Sequence, residues 1–128
     1  MGWAVWEWPR VFIEAEFHAV WKHPDGLLLD IAPRQFSIPR VLPLPDPKRI
    51  YTGRQVGSIR LPLCNDKTVK RFCEVSALIH KELNTGALAD VYGGVKASEK
   101  CVRYPLEKER VLATLLGRYG LNHPRSFT

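Results

Sequence analysis

The 128-residue chain is 45% hydrophobic, 25% charged and 10% aromatic, which excludes a largely disordered polymer and fits a single domain. No apolar run approaches the roughly 20 residues needed to span a bilayer, and Met1-Gly2-Trp3-Ala4 puts no cationic stretch ahead of an apolar one, so a cytoplasmic protein without a membrane partner is expected. The net charge of +6 is uneven: residues 1–31 hold two basic and five acidic side chains, and residues 32–128 hold 17 basic and 8 acidic.

Trp3 to Trp8 is aromatic and β-prone, and Pro9-Arg10 interrupts it. Residues 11–22 then alternate. Val11, Ile13, Ala15, Phe17, Ala19 and Trp21 fall on an apolar face, and Phe12, Glu14, Glu16, His18, Val20 and Lys22 fall on a polar one. A period of two over this length predicts a strand. The two runs form a predicted hairpin, and His23-Pro24-Asp25-Gly26 is a turn that returns the chain as Leu27 to Ile31. Residues 1–31 are therefore expected to form an antiparallel meander.

Residues 32–63 read as a Pro-rich basic arm followed by an edge strand. Pro33, Pro39, Pro43, Pro45 and Pro47 bar a helix or central strand, while Phe36, Ile38, Val41, Leu42 and Leu44 can pack on the sheet. Residues 58–63 suit a short edge strand. Asn65-Asp66 predicts a cap for a helix over about 67–83, with Val69, Phe72, Cys73, Ser76, Ile79 and Leu83 as its apolar stripe and Gly86 ending it. A loop with Gly93-Gly94 follows. Pro105 is expected at the first turn of a second helix, with Glu107 and Glu109 at its positive end, Arg118 at its negative end and Gly120 as its stop. Its apolar face would be Leu112, Leu115, Leu116 and Tyr119. Residues 121–128 read as a tail. The expected class is α+β: an antiparallel, curled sheet with two helices and an extended arm, in one domain.

His18 and Asp30 carry the most specific chemistry. A hairpin centred on residues 24–25 sets residue 18 close to residue 31, so Asp30 becomes a near neighbour of His18. A carboxylate against an imidazole fixes its tautomer and raises its basicity, as in the base half of a nucleophilic triad. Glu14, Glu16 and His18 share a face and have ligand-like spacing, but a strand face salt-bridged to Arg or Lys is the simpler reading, and no metal or other cofactor is expected. Arg34, Arg40, Lys48, Arg49, Arg54 and Arg60 lie in the densest basic stretch, residues 34–71, which suits an acidic protein, a nucleoprotein complex or nucleic acid. Four tryptophans fall within 21 residues, and Trp6 and Trp8 are taken as exposed anchors.

Gly2-Trp3-Ala4-Val5-Trp6, Glu14 through Trp21, Asp25-Gly26 and Leu29-Asp30-Ile31-Ala32-Pro33 resemble a group of phage and bacterial proteins similar in pattern to papain-like cysteine hydrolases. The resemblance covers the first third well and implies His18 as base and Asp30 as orienter. It places the nucleophilic Cys upstream of the first strand, where this chain has none, and in some relatives a Cys-rich metal-binding tail that residues 122–128 lack. It thus implies a pseudoenzyme kept for binding, with a counter-defence (anti-CRISPR-like) or other mobile-element role. Cys64, just ahead of the Asn65-Asp66 cap, is the replacement nucleophile to consider, since a helix N-terminus lowers a thiol pKa. All three cysteines otherwise read as reduced thiols, with Cys64 and Cys73 as small apolar core filler.

Three expectations follow. The first is a non-catalytic binding or inhibitory module that engages an acidic partner. The second is a small hydrolase using Cys64, His18 and Asp30. A recombined fragment that only folds is a third. Oligomeric state stays open.

Overall fold

The alternating aromatic runs pair as predicted. In the computed structural model, which describes residues 1–31, 41–84 and 99–120, β1 (Gly2–Trp8) runs antiparallel to β2 (Phe12–His18), from Gly2 opposite His18 to Trp8 opposite Phe12. Arg10 takes φ 65° in the turn, and Val11 N–H donates to Trp8 O at 2.9 Å. A three-residue hairpin loop uses one left-handed residue in this way.

The expected third strand of the meander lies elsewhere. The pairing of β2 stops at His18, and β3 (Trp21–Lys22) pairs only with β4 (Leu28–Leu29). The Pro24-Asp25 turn closes this separate ribbon: His23 N–H donates to Leu27 O, Gly26 N–H donates to His23 O, and Gly26 adopts φ 86°. The vacated edge of β2 goes to β6 (Ile59–Pro62), and β5 (Leu42–Pro45) pairs with the other edge at β1. The sheet order is β5-β1-β2-β6, so the proline-bearing segments occupy both edges, where a missing N–H is tolerated. Gly2 is required at the β1–β5 seam, because a Cβ there would overlap the Leu44 carbonyl oxygen.

Cross-strand partners share a face, so the register assigns Ala4, Trp6, Trp8, Phe12, Glu14, His18 and Arg60 to one side and Trp3, Val5, Ile13, Ala15, Phe17, Leu42, Leu44, Ile59 and Leu61 to the other. The helices cover the first side. Phe12 packs on Phe72 with ring centroids 5.2 Å apart, and Ala4, Trp6, Trp8, Val11, Phe12, Val69, Phe72 and Leu115 form the core. The face that reads as polar in β2 is therefore the inner one. The expectation that Trp6 and Trp8 are exposed anchors is corrected, since they retain 6% and 4% of their surface.

Helix α1 (Lys67–Leu83) has the predicted bounds, and the Asp66 side chain caps it by accepting from Thr68 N–H at 2.7 Å. Val69, Phe72, Val75 and Ser76 are its buried residues, while Leu83 is exposed and Asn84 closes the helix. Helix α2 (Glu99–Tyr119) starts six residues before Pro105, so this proline sits inside it and Glu107 lies past its first turn. The turns around the proline are held by Tyr104, which is buried.

The helices run antiparallel under three clamps. Arg118 and Tyr119 meet Asp66, Arg71 grips Glu107 through two hydrogen bonds at 2.6 and 3.1 Å, and Lys100 faces Glu82 at 3.9 Å. Among the described residues no helix is long and apolar enough to cross a membrane. The expectations for Phe36, Ile38, Arg34, Arg40, Gly86, Gly93-Gly94 and residues 121–128 lie outside the described residues.

Candidate functional site

His18 ends β2, and Asp30 follows β4. The small β3–β4 ribbon folds back far enough to set His18 Nε2 at 2.7 Å from Asp30 Oδ1, each side chain 15% exposed. The carboxylate accepts the Nε2 hydrogen, which fixes the imidazole and leaves Nδ1 as the second ring nitrogen. His18 also lines an apolar cleft of about 240 Å³, with Gly2, Val20, Leu28, Val41 and Leu44 among its walls. The two residues expected to be near neighbours are in contact.

Among the described residues no nucleophile joins this pair. Cys64 lies at the opposite end of β2, where its Sγ is 3.9 Å from Val11 O and 3.7 Å from the Tyr119 hydroxyl. The seven residues of β2 separate that end from His18, a span of roughly 20 Å at the rise of a strand. Thiol and imidazole are thus too far apart for hydrogen-bonded activation. The described residues lining the His18 cleft include no Ser, Thr or Cys. Cys73 is half-buried, and burial pushes its thiol pKa up. Among the described residues no group of three His, Cys, Asp or Glu side chains is placed to hold a metal ion.

Glu14 is committed elsewhere. Its carboxylate meets Arg60 Nη2 at 2.5 Å and accepts the indole N–H groups of Trp6 and Trp8 at 3.2 and 3.4 Å. Arg60, expected on a partner-facing arm, is therefore an internal cation held between the sheet and Phe72. Lys48, Arg49 and Arg54 are exposed.

Arg49 reaches the outer side of the sheet. Its guanidinium lies 5.3 Å from the Trp3 ring centroid and 5.7 Å from that of Phe17, and these two rings meet edge to face. Asp46 steadies the group by accepting Trp3 Nε1–H at 3.1 Å and Arg49 N–H at 3.2 Å. The Trp3 contact is the main reason that the Asp46 carboxyl sits below its ordinary pKa. Around this cluster Leu42, Leu44, Ile59 and Leu61 stand 41–57% exposed on one side of the sheet. Sequence reasoning missed this surface, although the alternation of Leu42, Leu44, Ile59 and Leu61 with Pro43 and Arg60 signals it once the edge strands are paired.

No protein-family model, no curated protein and no solved structure matches the chain.

Proposed function

We propose that this protein is a non-catalytic binding module whose acidic protein partner docks on the outer face of the sheet. The observation that carries this reading is the two exposed apolar edges of the outer face, Leu42 and Leu44 on β5 and Ile59 and Leu61 on β6, with the Trp3–Phe17–Arg49 cluster on the strands between them. Contiguous exposed apolar side chains with a polar rim mark protein interfaces. An edge-to-face aromatic pair held by a cation supplies a rigid anchor there. Lys48 and Arg49 follow β5 at the rim and set the preference for an acidic partner. Nucleic-acid interfaces are more polar and more uniformly basic, so the leucine rows favour protein. The separation of Cys64 from His18 supports a role that needs no acyl transfer.

The test is affinity capture with the native chain and with a Leu44→Glu/Leu61→Glu variant, at low and moderate salt. The reading expects a protein that the native chain retains, that salt weakens, that nuclease treatment leaves in place, and that the variant loses. Equal capture by the variant, capture abolished by nuclease, or self-association through this face would overturn it.

A further inference from the structure

We propose that the cleft between the inner face of the sheet and the helices is a binding site for a small phosphate ester, with Lys108 and Arg60 forming its cationic wall. The cleft encloses about 500 Å³ and is lined by Arg60 and Glu16 from the sheet, Ser76 and His80 from α1, Lys108 from α2 and Gln55 from the preceding loop. That volume suits a small ligand, for which pockets of roughly 300–1,000 Å³ are usual.

The cations on its wall are not paired one to one. Arg60 Cζ and Lys108 Nζ both stand over the Phe72 ring, 5.9 and 5.7 Å from its centroid. Glu14 answers only the guanidinium, because its second oxygen serves two indoles. Arg60 Nε is buried without a hydrogen-bond partner, and Lys108 has no ion pair among the described residues. Burial and the adjacent guanidinium push the Lys108 pKa down, and Glu14 only partly opposes them. Glu14 is committed to Arg60 and the two indoles and Glu16 is the other carboxylate on this wall, so the local pull on an anion comes from the Lys108 ammonium beside the Arg60 guanidinium rather than from a net positive pocket.

His80 adds a donor. The Asn84 side-chain amide stands 3.1 Å from His80 Nδ1 and can only donate, so the neutral ring carries its hydrogen on Nε2. Gly57 lies directly on that ring, since a Cβ there would come within 2.6 Å of His80 Cδ2, so the loop holds the imidazole in place. An ammonium, a guanidinium and an imidazole N–H suit the three oxygens of a phosphoryl group better than the two of a carboxylate. Glu16 on the same wall favours a ligand whose remainder presents hydroxyls rather than a second anion.

The experiment is a titration of the intact chain with inorganic phosphate, glycerol phosphate and acetate at matched ionic strength. It follows Tm and the NMR signals of the Lys108 side chain. Phosphate and glycerol phosphate are expected to raise Tm by several degrees and to move the Lys108 resonances, with acetate doing neither. Lys108→Met should weaken binding about tenfold or more, while Lys67→Met on the exposed start of α1 leaves it intact. His80→Gln, which leaves the ammonium in place, should weaken it less. Absence of any response in the native chain would overturn the proposal. An equal response in Lys108→Met, or an equal response to acetate, would also overturn it. The docking face plays no part in these readouts, so either assignment can fail alone.

Discussion

Arg60 and Glu14 stand opposite each other on β6 and β2, guanidinium to carboxylate at 2.5 Å, on the side of the sheet that the helices cover. This pair turns an apparently solvent-facing strand edge inward. The carboxylate also accepts the two indole hydrogens of Trp6 and Trp8. Removing it leaves a buried guanidinium without its counter-charge. Glu14→Gln should therefore cost about 3 kcal/mol in denaturant unfolding, and Glu14→Leu combined with Arg60→Met should recover most of it. A cost below about 1 kcal/mol for the single change would show that water already solvates the pair.

The distance between thiol and imidazole makes a kinetic prediction. Alkylation of Cys64 by iodoacetamide should proceed at the same rate in native protein and in His18→Ala. Cys73 should react slowly, because burial raises its thiol pKa. A marked slowing at Cys64 in the His18 variant would restore the hydrolase reading.

Asp66 joins both helices. Tyr119, Arg118 and the Thr68 N–H hold its carboxyl well below the ordinary value of 3.8. A depressed folded value means that the stabilisation is complete above the ordinary value and is lost as pH falls toward the folded one. The Arg71 grip lowers Glu107 in the same direction. Unfolding measured from about pH 6 down to about pH 2 should show stability falling with acid, and Asp66→Asn should start lower and fall less steeply. An unchanged slope in the variant would separate Asp66 from the acid response.

Pro105 lies inside α2, where its ring removes a backbone hydrogen bond. Pro105→Ala should stabilise the chain by about 1–3 kcal/mol, read as an upward shift in Tm. A loss of stability would mean that the helix breaks there and that Tyr104 is held by other contacts.

Much of the fold was legible because its signals are local. Aromatic β-prone residues marked β1, period-two alternation marked β2, and Asp66 with its downstream apolar stripe marked α1. Residues 58–63 suited the edge strand that β6 forms, whereas residues 42–45, expected in an extended arm, pair as the edge strand β5. The His18–Asp30 contact was anticipated from a hairpin centred on residues 24–25, although the observed ladder, Trp21 with Leu29 and Lys22 with Leu28, stops short of both residues and the contact forms beyond it. The choice of inner face was not. Both sides of β1 are aromatic, and the salt bridge expected of Glu14 names no side until Arg60, 46 residues later, is paired against it under the helices. For the same reason Trp6 and Trp8 looked like anchors, when the true outer group is Trp3 with Phe17 and Arg49. The start of α2 was hidden because proline more often opens a helix than sits in its second turn.

The most direct measurement is site-specific photo-crosslinking from the two surfaces of the protein. A photoreactive residue at position 44, on the outer side of β5, should trap an acidic protein partner, and the same residue at position 113, exposed on α2, should not. Crosslinks formed from position 113 and absent from position 44 would contradict a partner seated on the sheet.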